Sequence, residues 1–426
     1  MRRTPGRIKS QRIPVLVICA MLSGILLLLI PRAQSFASVV HEFKPYPLPQ
    51  PCAAAAPSRR LSHPGYLRLR QALERYRQLA IQGGWPRLPD GDTLRKGDRG
   101  ITVSVLQHRL HVTGDFDPWP ADHSGLFDDA IEHAVRTFQQ RHGLVADGIV
   151  GHETRHALQV SAAERVQQLA LNLKRWHDLP ASLGPRYILV NVPGFNLQVI
   201  ENEQLVMHMR VVVGRPSWAT PLFSSTLTAV VVNPAWDVPP RIAREEIVPH
   251  LRRDPEYLTT HNFKLFEGWG AEAEEISPHR IDWSQINTTH FPYRLHQRPG
   301  PNNALGRLKF IVPNPFYVFL HDTPARTLFR HAVRAYSHGC IRLEKPEALA
   351  AYLLRSDPAW TGARLDAAMA QGRQHTIELS EPIPVHLVYH TAWVDTDGTV
   401  HFRPDIYGYD QASTETHDKA HAMPCG

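Results

Sequence analysis

Phe319-Leu320-His321-Asp322-Thr323 and, further on, Tyr336-Ser337-His338-Gly339-Cys340-Ile341-Arg342-Leu343 gather a thiol, two imidazoles, a hydroxyl, a glycine and a guanidinium in one short span. A neutral thiol is a weak nucleophile, with only a few per cent thiolate near pH 7 at an unperturbed pKa of about 8.5, so a reactive cysteine needs a base beside it. Histidine supplies that base near neutral pH. Fifteen residues separate His321 from Ser337, enough for an apolar strand ending at His321 to loop round and return Cys340 beside it. Gly339 allows the backbone to turn tightly before the thiol. The amides of Gly339 and Cys340, if they point the same way, form a donor pair for an oxyanion. Thiol, base and donors together describe acyl transfer. Two plainer readings compete: a buried cysteine acting only as a small hydrophobe, and a zinc site, which lacks the CxxC partner or HExxH helix that usually accompanies one.

His321, the fifteen intervening residues and then Ser337-His338-Gly339-Cys340-Ile341-Arg342 resemble the signature of the L,D-transpeptidases, bacterial cell-wall cross-linking enzymes with a YkuD-type catalytic domain. The resemblance implies Cys340 as the acylated nucleophile, His321 as its base and the main-chain carbonyl of Asp322 as the group orienting the imidazole. His338 would tune the thiolate or hold the loop, and Ser337 would fix the turn or contact substrate. Many members carry Asn where this chain has Arg342, a variant associated with the large proteobacterial forms.

The elements that must position these groups follow in chain order. At 426 residues the chain is long enough for two or three domains. Its formal charge of +7 suits an anionic partner: nucleic acid, anionic lipid or an acidic wall polymer. No zinc finger, RNP motif or dense basic helix supports nucleic acid. Arg2, Arg3, Arg7, Lys9 and Arg12 precede an apolar run from Ile13 to Ile30, and Ser35-Phe36-Ala37 offers small residues for signal peptidase. Residues 1–37 therefore read as a signal peptide or an uncleaved membrane anchor, either of which sends the rest outward to the periplasm. Cys19 lies within that run, whereas Cys52 and Cys425 fall in weakly patterned ends and could pair with each other.

Prolines and alanines over 38–65 read as a linker. Helices over 66–93 and 160–184 bracket residues 94–159, where Ile131, Ala134, Val135 and Phe138 share one helical face. The spacing of Gln107, Phe127, Ala134, Phe138, Gln139, Gly143, Leu144, Asp147, Gly148 and Gly151 resembles the three-helix peptidoglycan-binding module, inserted here in a helical scaffold. From Arg186 the period changes to two, giving strands Tyr187–Val192, Asn196–Ile200 and Leu205–Val213 with a hairpin turn at Glu201-Asn202-Glu203. Between 234 and 305 the sheet pattern lapses into an excursion with a helix near Arg241–Arg253, Trp269, Trp283 and the turn Gln297-Arg298-Pro299-Gly300-Pro301. A long excursion beside chemistry reads as a lid or binding loop. The resemblance makes it a cap over the substrate cleft, and because loops closing over a cleft contribute little to the main core it reads as separable. Residues 381–409 read as C-terminal strands, with His386 and His390 exposed, and 410–426 as a tail that frays from Tyr407 onward.

The expected fold is thus α+β multidomain: a β-rich YkuD-type catalytic domain over 185–380 with a helical cap insertion, plus the three-helix peptidoglycan-binding-like module. The resemblance, covering roughly Leu94 to Tyr407, implies 3–3 peptidoglycan cross-linking through a cysteine thioester, with peptide stems as donor and acceptor, carbapenem β-lactams as inhibitors, no metal or other cofactor, and membrane contact only through the N-terminal segment. Catalytic roles fall to Cys340, His321, His338, Gly339 and the Asp322 main chain, and substrate contacts to Ser337, Arg342, Trp269, Gln297 and Asn303. Hydrolysis or amine exchange at the same thioester is the nearest rival. A catalytically idle wall-binding protein is the rival from another class, and a cysteine protease is a third.

Overall fold

The computed structural model describes residues 63–117, 125–254, 256–268, 270, 272–286 and 291–411. Residues 1–62, Trp269 and 412–426 lie outside these, and with them the N-terminal targeting segment, most of the linker and the Cys52/Cys425 pair.

Helices α1 (Pro64–Ile81) and α5 (Ala162–Arg175) pack together, as their flanking positions predict. Pro64 stands at the first helical position, where the missing N–H costs nothing. Ser161 and Glu164 form a capping box that starts α5. Between them, α2 (Ile101–Val112), α3 (Asp129–Arg141) and α4 (His152–Gln159) enclose a separate apolar core of Leu106, Leu110, Phe127, Ile131, Phe138 and Leu158. Buried Gln139 ties the module's turn: its amide donates to Asp147 Oδ1 at 2.8 Å and to the Ile149 carbonyl at 2.9 Å, while its Oε1 accepts from Gly148 N at 2.9 Å. Gly148 has φ +78, which explains the glycine.

The β-rich part begins with β1 (Arg186–Asn191), β2 (Asn196–Glu201), β3 (Gln204–Gly214) and β4 (Phe223–Val232). After the excursion, which holds β5 (Trp236–Asp237), β6 (Phe263–Glu267), β7 (Glu274–Ile276) and β8 (Tyr293–Gln297), come β9 (Leu308–Ile311), β10 (Leu320–His321), β11 (Ala335–Ser337), β12 (Ile341–Leu343) and β13 (His375–Val388). The strand order is β11-β3-β12-β10-β9-β4-β13-β1-β2, and β2 also pairs with β3, so the sheet closes on itself. Alternate residues of its strands, among them Val230, Phe310, Leu320, Ile341 and Leu343, enter one core with Leu349 and Leu353 of the helix Pro346–Leu354.

Three expectations are corrected. The 234–305 insertion is not helical alone: β5 (Trp236–Asp237), β6 (Phe263–Glu267), β7 (Glu274–Ile276) and β8 (Tyr293–Gln297) form a four-stranded sheet in the order β5-β8-β6-β7. These strands span two to five residues, too few for a period of two to stand out. The boundary at 380/381 cuts through β13, a continuous strand paired with both β1 and β4, so the catalytic sheet runs on to Val388. His386 and His390 are buried, not exposed: Trp176 of the scaffold stacks on His390 at 5.6 Å, and His386 Nδ1 lies 2.8 Å from Ser224 Oγ, its partner on the neighbouring strand β4. The hairpin β14 (Ala392–Val394) and β15 (Val400–Phe402) then packs into the core shared by α1 and α5.

Candidate active site

Register builds the site. In the pairing of β10 with β12, His321 stands opposite Arg342, and in the pairing of β10 with β9 it stands opposite Lys309. Partners across a sheet point to the same side. Lys309, His321 and Arg342 therefore form a row across three strands, on the face opposite Leu320, Phe310 and Ile341 in the core. Cys340 precedes Arg342 by two residues, one full strand period, and Ile341 N donates to the Phe319 carbonyl at 3.0 Å to hold that edge in register. The Lys309 ammonium sits 3.8 Å from the centroid of the Phe319 ring.

His321 Nδ1 lies 2.5 Å from the Asp322 carbonyl oxygen. A carbonyl can only accept, so Nδ1 carries the proton and Nε2 is left as the basic nitrogen. Asp322 is itself braced: its carboxylate accepts from Arg307 N at 2.9 Å and from Arg326 at 3.2 Å. Gly306 (φ +64) lies against that carboxylate, at a point where a Cβ would collide with it. Burial, with help from the Arg342 charge, lowers the His321 pKa to about 3. Burial pushes the Cys340 thiol up, and the Phe319 amide, Lys309 and Arg342 pull it back without cancelling the rise. Both shifts favour a neutral thiol beside a neutral imidazole at rest. An attack by this thiol would therefore need its proton to move in the same step, as in general-base catalysis, rather than start from a standing ion pair.

The thiol loop is clamped from behind. Ser337 is buried; its hydroxyl donates to the Cys340 carbonyl at 2.5 Å and accepts from Gly339 N at 3.2 Å. Gly339 has φ +106, as the tight turn requires. The Gly339 amide is thus occupied within the loop, which alters the expected Gly339/Cys340 oxyanion pair. Thr220 Oγ1 donates to the Gly339 carbonyl at 2.8 Å and accepts from Gly214 N at 2.9 Å. The Tyr407 hydroxyl donates to the Gly214 carbonyl at 2.6 Å and accepts from Thr220 N at 3.2 Å. Tyr407 is therefore a buttress of the loop, not the start of a frayed tail.

His338 turns away toward the insertion. Its Nε2 lies 2.5 Å from Glu246 Oε1 and 3.3 Å from Arg215, and its ring stands edge-on to Trp218 at 4.8 Å. Gln297 and Asn303 are buried and brace their own turn rather than facing the cleft: Gln297 Nε2 donates to the His261 and Asn302 carbonyls at 3.1 Å, and Asn303 Nδ2 donates to the Arg298 carbonyl at 3.0 Å. Ser337, equally buried, offers substrate no surface. Trp283 belongs to the insertion's core. Lys309, Thr220, Tyr407 and Glu246 were not picked out as site residues from sequence. Only Lys309 carried a usable signal, a lone cation in a strand that register sets beside His321.

Residues 185–361 match the family model for the L,D-transpeptidase catalytic domain, YkuD, and residues 99–158 match that for a peptidoglycan binding domain. A Haemophilus influenzae protein that carries an L,D-transpeptidase name is 39% identical over 245 residues, 58% of this chain and 48% of its own length. The N-acetylmuramoyl-L-alanine amidase CwlM of Mycobacterium tuberculosis is 42% identical over 80 residues, 17% of this chain and 20% of its own. The chain thus spans about half or less of the length of these curated relatives. Among solved structures, L,D-transpeptidases from Mycobacterium smegmatis (14% identity, TM-score 0.23, 48% of this chain and 58% of that one) and Stackebrandtia nassauensis (15%, 0.26, 71% and 97%) are similar. Residues 185–361 thus form a domain of the YkuD L,D-transpeptidase catalytic type. The chain carries a peptidoglycan-binding-type module as well.

Proposed function

We propose that the protein is an exported L,D-transpeptidase of the periplasm that forms 3–3 cross-links between peptidoglycan stems through a thioester on Cys340. The observation that carries this reading is the His321 imidazole, held by the Asp322 carbonyl with Nε2 as the basic nitrogen and set on the same sheet face as the thiol loop. The thiol proton passes to His321 Nε2 as sulfur attacks the carbonyl of the third stem residue. Charge on the resulting oxyanion is opposed by the Cys340 amide and by Lys309 and Arg342. Collapse breaks the C–N bond to D-Ala, whose amine takes the proton from His321. The side-chain amine of a second stem then attacks the thioester, gives its proton to His321 and releases the thiolate, which recovers it. Arg342 and Lys309 have a second use as contacts for donor carboxylates.

Incubation with purified tetrapeptide wall fragments, with products read by mass spectrometry, tests the reading. D-Ala release with a cross-linked dimer is the expected outcome. D-Ala release with tripeptide alone would make the protein a carboxypeptidase, and retention of intact tetrapeptide would leave it a wall binder.

A further inference from the structure

The insertion and the thiol loop meet at one carboxylate. In the insertion, helical residues Pro240–Ile242 and Val248–Leu251 flank a wider π turn over Ala243–Ile247. Pro249 accounts for the widening, since a proline ring in a helix clashes with the carbonyl four residues earlier, here that of Glu245. Ala243, Ile247, Val248 and Leu251 face the insertion's own core. Glu245 pairs with Arg241 at 2.7 Å along the helix. Glu246 instead leaves the insertion and reaches His338, 92 residues away in sequence.

On the other side, Arg215 N donates to the Ser337 carbonyl at 3.0 Å, and Trp218 lies between the His338 ring and the Arg241 guanidinium, which sits 3.7 Å from its centroid. The charged groups facing His338 are Glu246 from the insertion, Arg215 from the segment after β3 and Arg342 from β12. Arg215 can only donate, so the Glu246 carboxylate is the acceptor in this group, and His338 meets it as an Nε2–H donor. His338 adjoins Gly339 and Cys340, so whatever fixes its ring limits where the thiol can point.

We propose that Glu246 is a positioning residue of the thiol loop: by holding His338 against Trp218 it couples the seating of the insertion to the orientation of Cys340. The insertion is then part of the reactive apparatus rather than a detachable cover. This rests on the reading of Cys340 as the acylated thiol. Misplacing a nucleophile by about an ångström costs up to roughly 10²-fold in rate.

The test compares Glu246→Ala, Glu246→Gln and Glu275→Ala in the full chain. Carbapenem acylation is followed by intact mass, and His338 is titrated by imidazole nitrogen NMR, with its signal assigned through His338→Gln. Glu246→Ala should slow acylation roughly 10- to 100-fold. Glu246→Gln should lose less than about threefold, because its amide oxygen accepts the same bond. Glu275→Ala, which removes only the surface pair with Lys264 elsewhere in the insertion, should match the wild type. In Glu246→Gln the His338 titration should move to lower pH, since an anion that favours the imidazolium is gone; loosened packing alone would not give that sign. Acylation of Glu246→Ala at the wild-type rate, equal losses in the Ala and Gln variants, or an unmoved His338 titration would overturn the proposal. A wild-type protein that forms no adduct would instead refute the acyl-enzyme reading, while the His338 titration would still decide the role of Glu246.

Discussion

The three-helix module and the 234–305 insertion are both interruptions of a larger framework, and they are fastened to it in opposite ways. The module is joined through buried structural contacts. Arg141, fixed inside the module by two 2.5 Å bonds to the nearly inaccessible Asp115 carboxylate, meets the framework through its carbonyl, which accepts from Arg403 at 2.9 Å. His142 stacks on Phe138 at 3.8 Å and on Phe402 of β15 at 5.5 Å. None of these groups touches the thiol loop. The insertion is joined through Arg241, Trp218 and Glu246, and that joint ends on His338, two residues from Cys340. One attachment governs whether the fold persists; the other governs where a reacting atom sits. Removal of the insertion, expected from sequence to be a separable cap, would also remove the partner of His338.

If this contrast is right, rate and stability should separate by region. At the site, His321→Ala should slow acylation by roughly 10²- to 10⁴-fold with little change in melting temperature. The deficit should shrink as pH rises toward the thiol's raised pKa, where thiolate forms without help. Rate against pH, with a thermal melt of the same sample, checks both halves. At the module, Asp115→Ala should leave Arg141 charged, buried and uncompensated, at a cost of about 3–5 kcal/mol. Denaturant unfolding should show that loss, while acylation at a permissive temperature stays near wild type. A large rate loss there would collapse the distinction.

The smallest effect is expected in both regions alike. Burial holds His321 at about 3, His386 at about 4 and His390 at about 3, and His142 well below its usual value. Each folded pKa lies below the unfolded value near 6.5, so the unfolded chain binds more protons once pH falls below that. Stability from these groups is full above pH 6.5 and falls as pH drops toward the folded values, by up to about 1.4 kcal/mol per pH unit for each histidine. His142→Gln should make the decline between pH 6 and 4.5 shallower in denaturant melts.

The parts readable from sequence were those written locally. The strands from Arg186 to Val232, the helix Pro346–Leu354 and the hairpin turn at Asn202-Glu203, both at positive φ, follow from period and turn chemistry over a few residues. His321 and Cys340 were readable because one loop returns the chain to the neighbouring strand. Glu246, Thr220 and Tyr407 were not, since each reaches the loop from a distant element and carries no local pattern. His386 and His390 read as exposed because alternation names two faces of a strand but not what covers the second. Here Trp176 of the scaffold covers His390, while Tyr187 and Ser224 on the neighbouring strands pack beside His386. Gln297 and Asn303 show the converse: a distinctive polar turn can be distinctive for its own internal hydrogen bonds.

The central claim is that Cys340, with His321 as its base, carries the acyl group taken from a donor stem. Rapid mixing with a purified tetrapeptide stem, an acid quench and peptide mapping of the protein tests it directly. A tripeptide acyl group on the Cys340 peptide, matched by one equivalent of released D-Ala and absent from Cys340→Ser, is the predicted result. D-Ala release with Cys340 unmodified, or a Cys340→Ser variant that still releases it, would contradict the account.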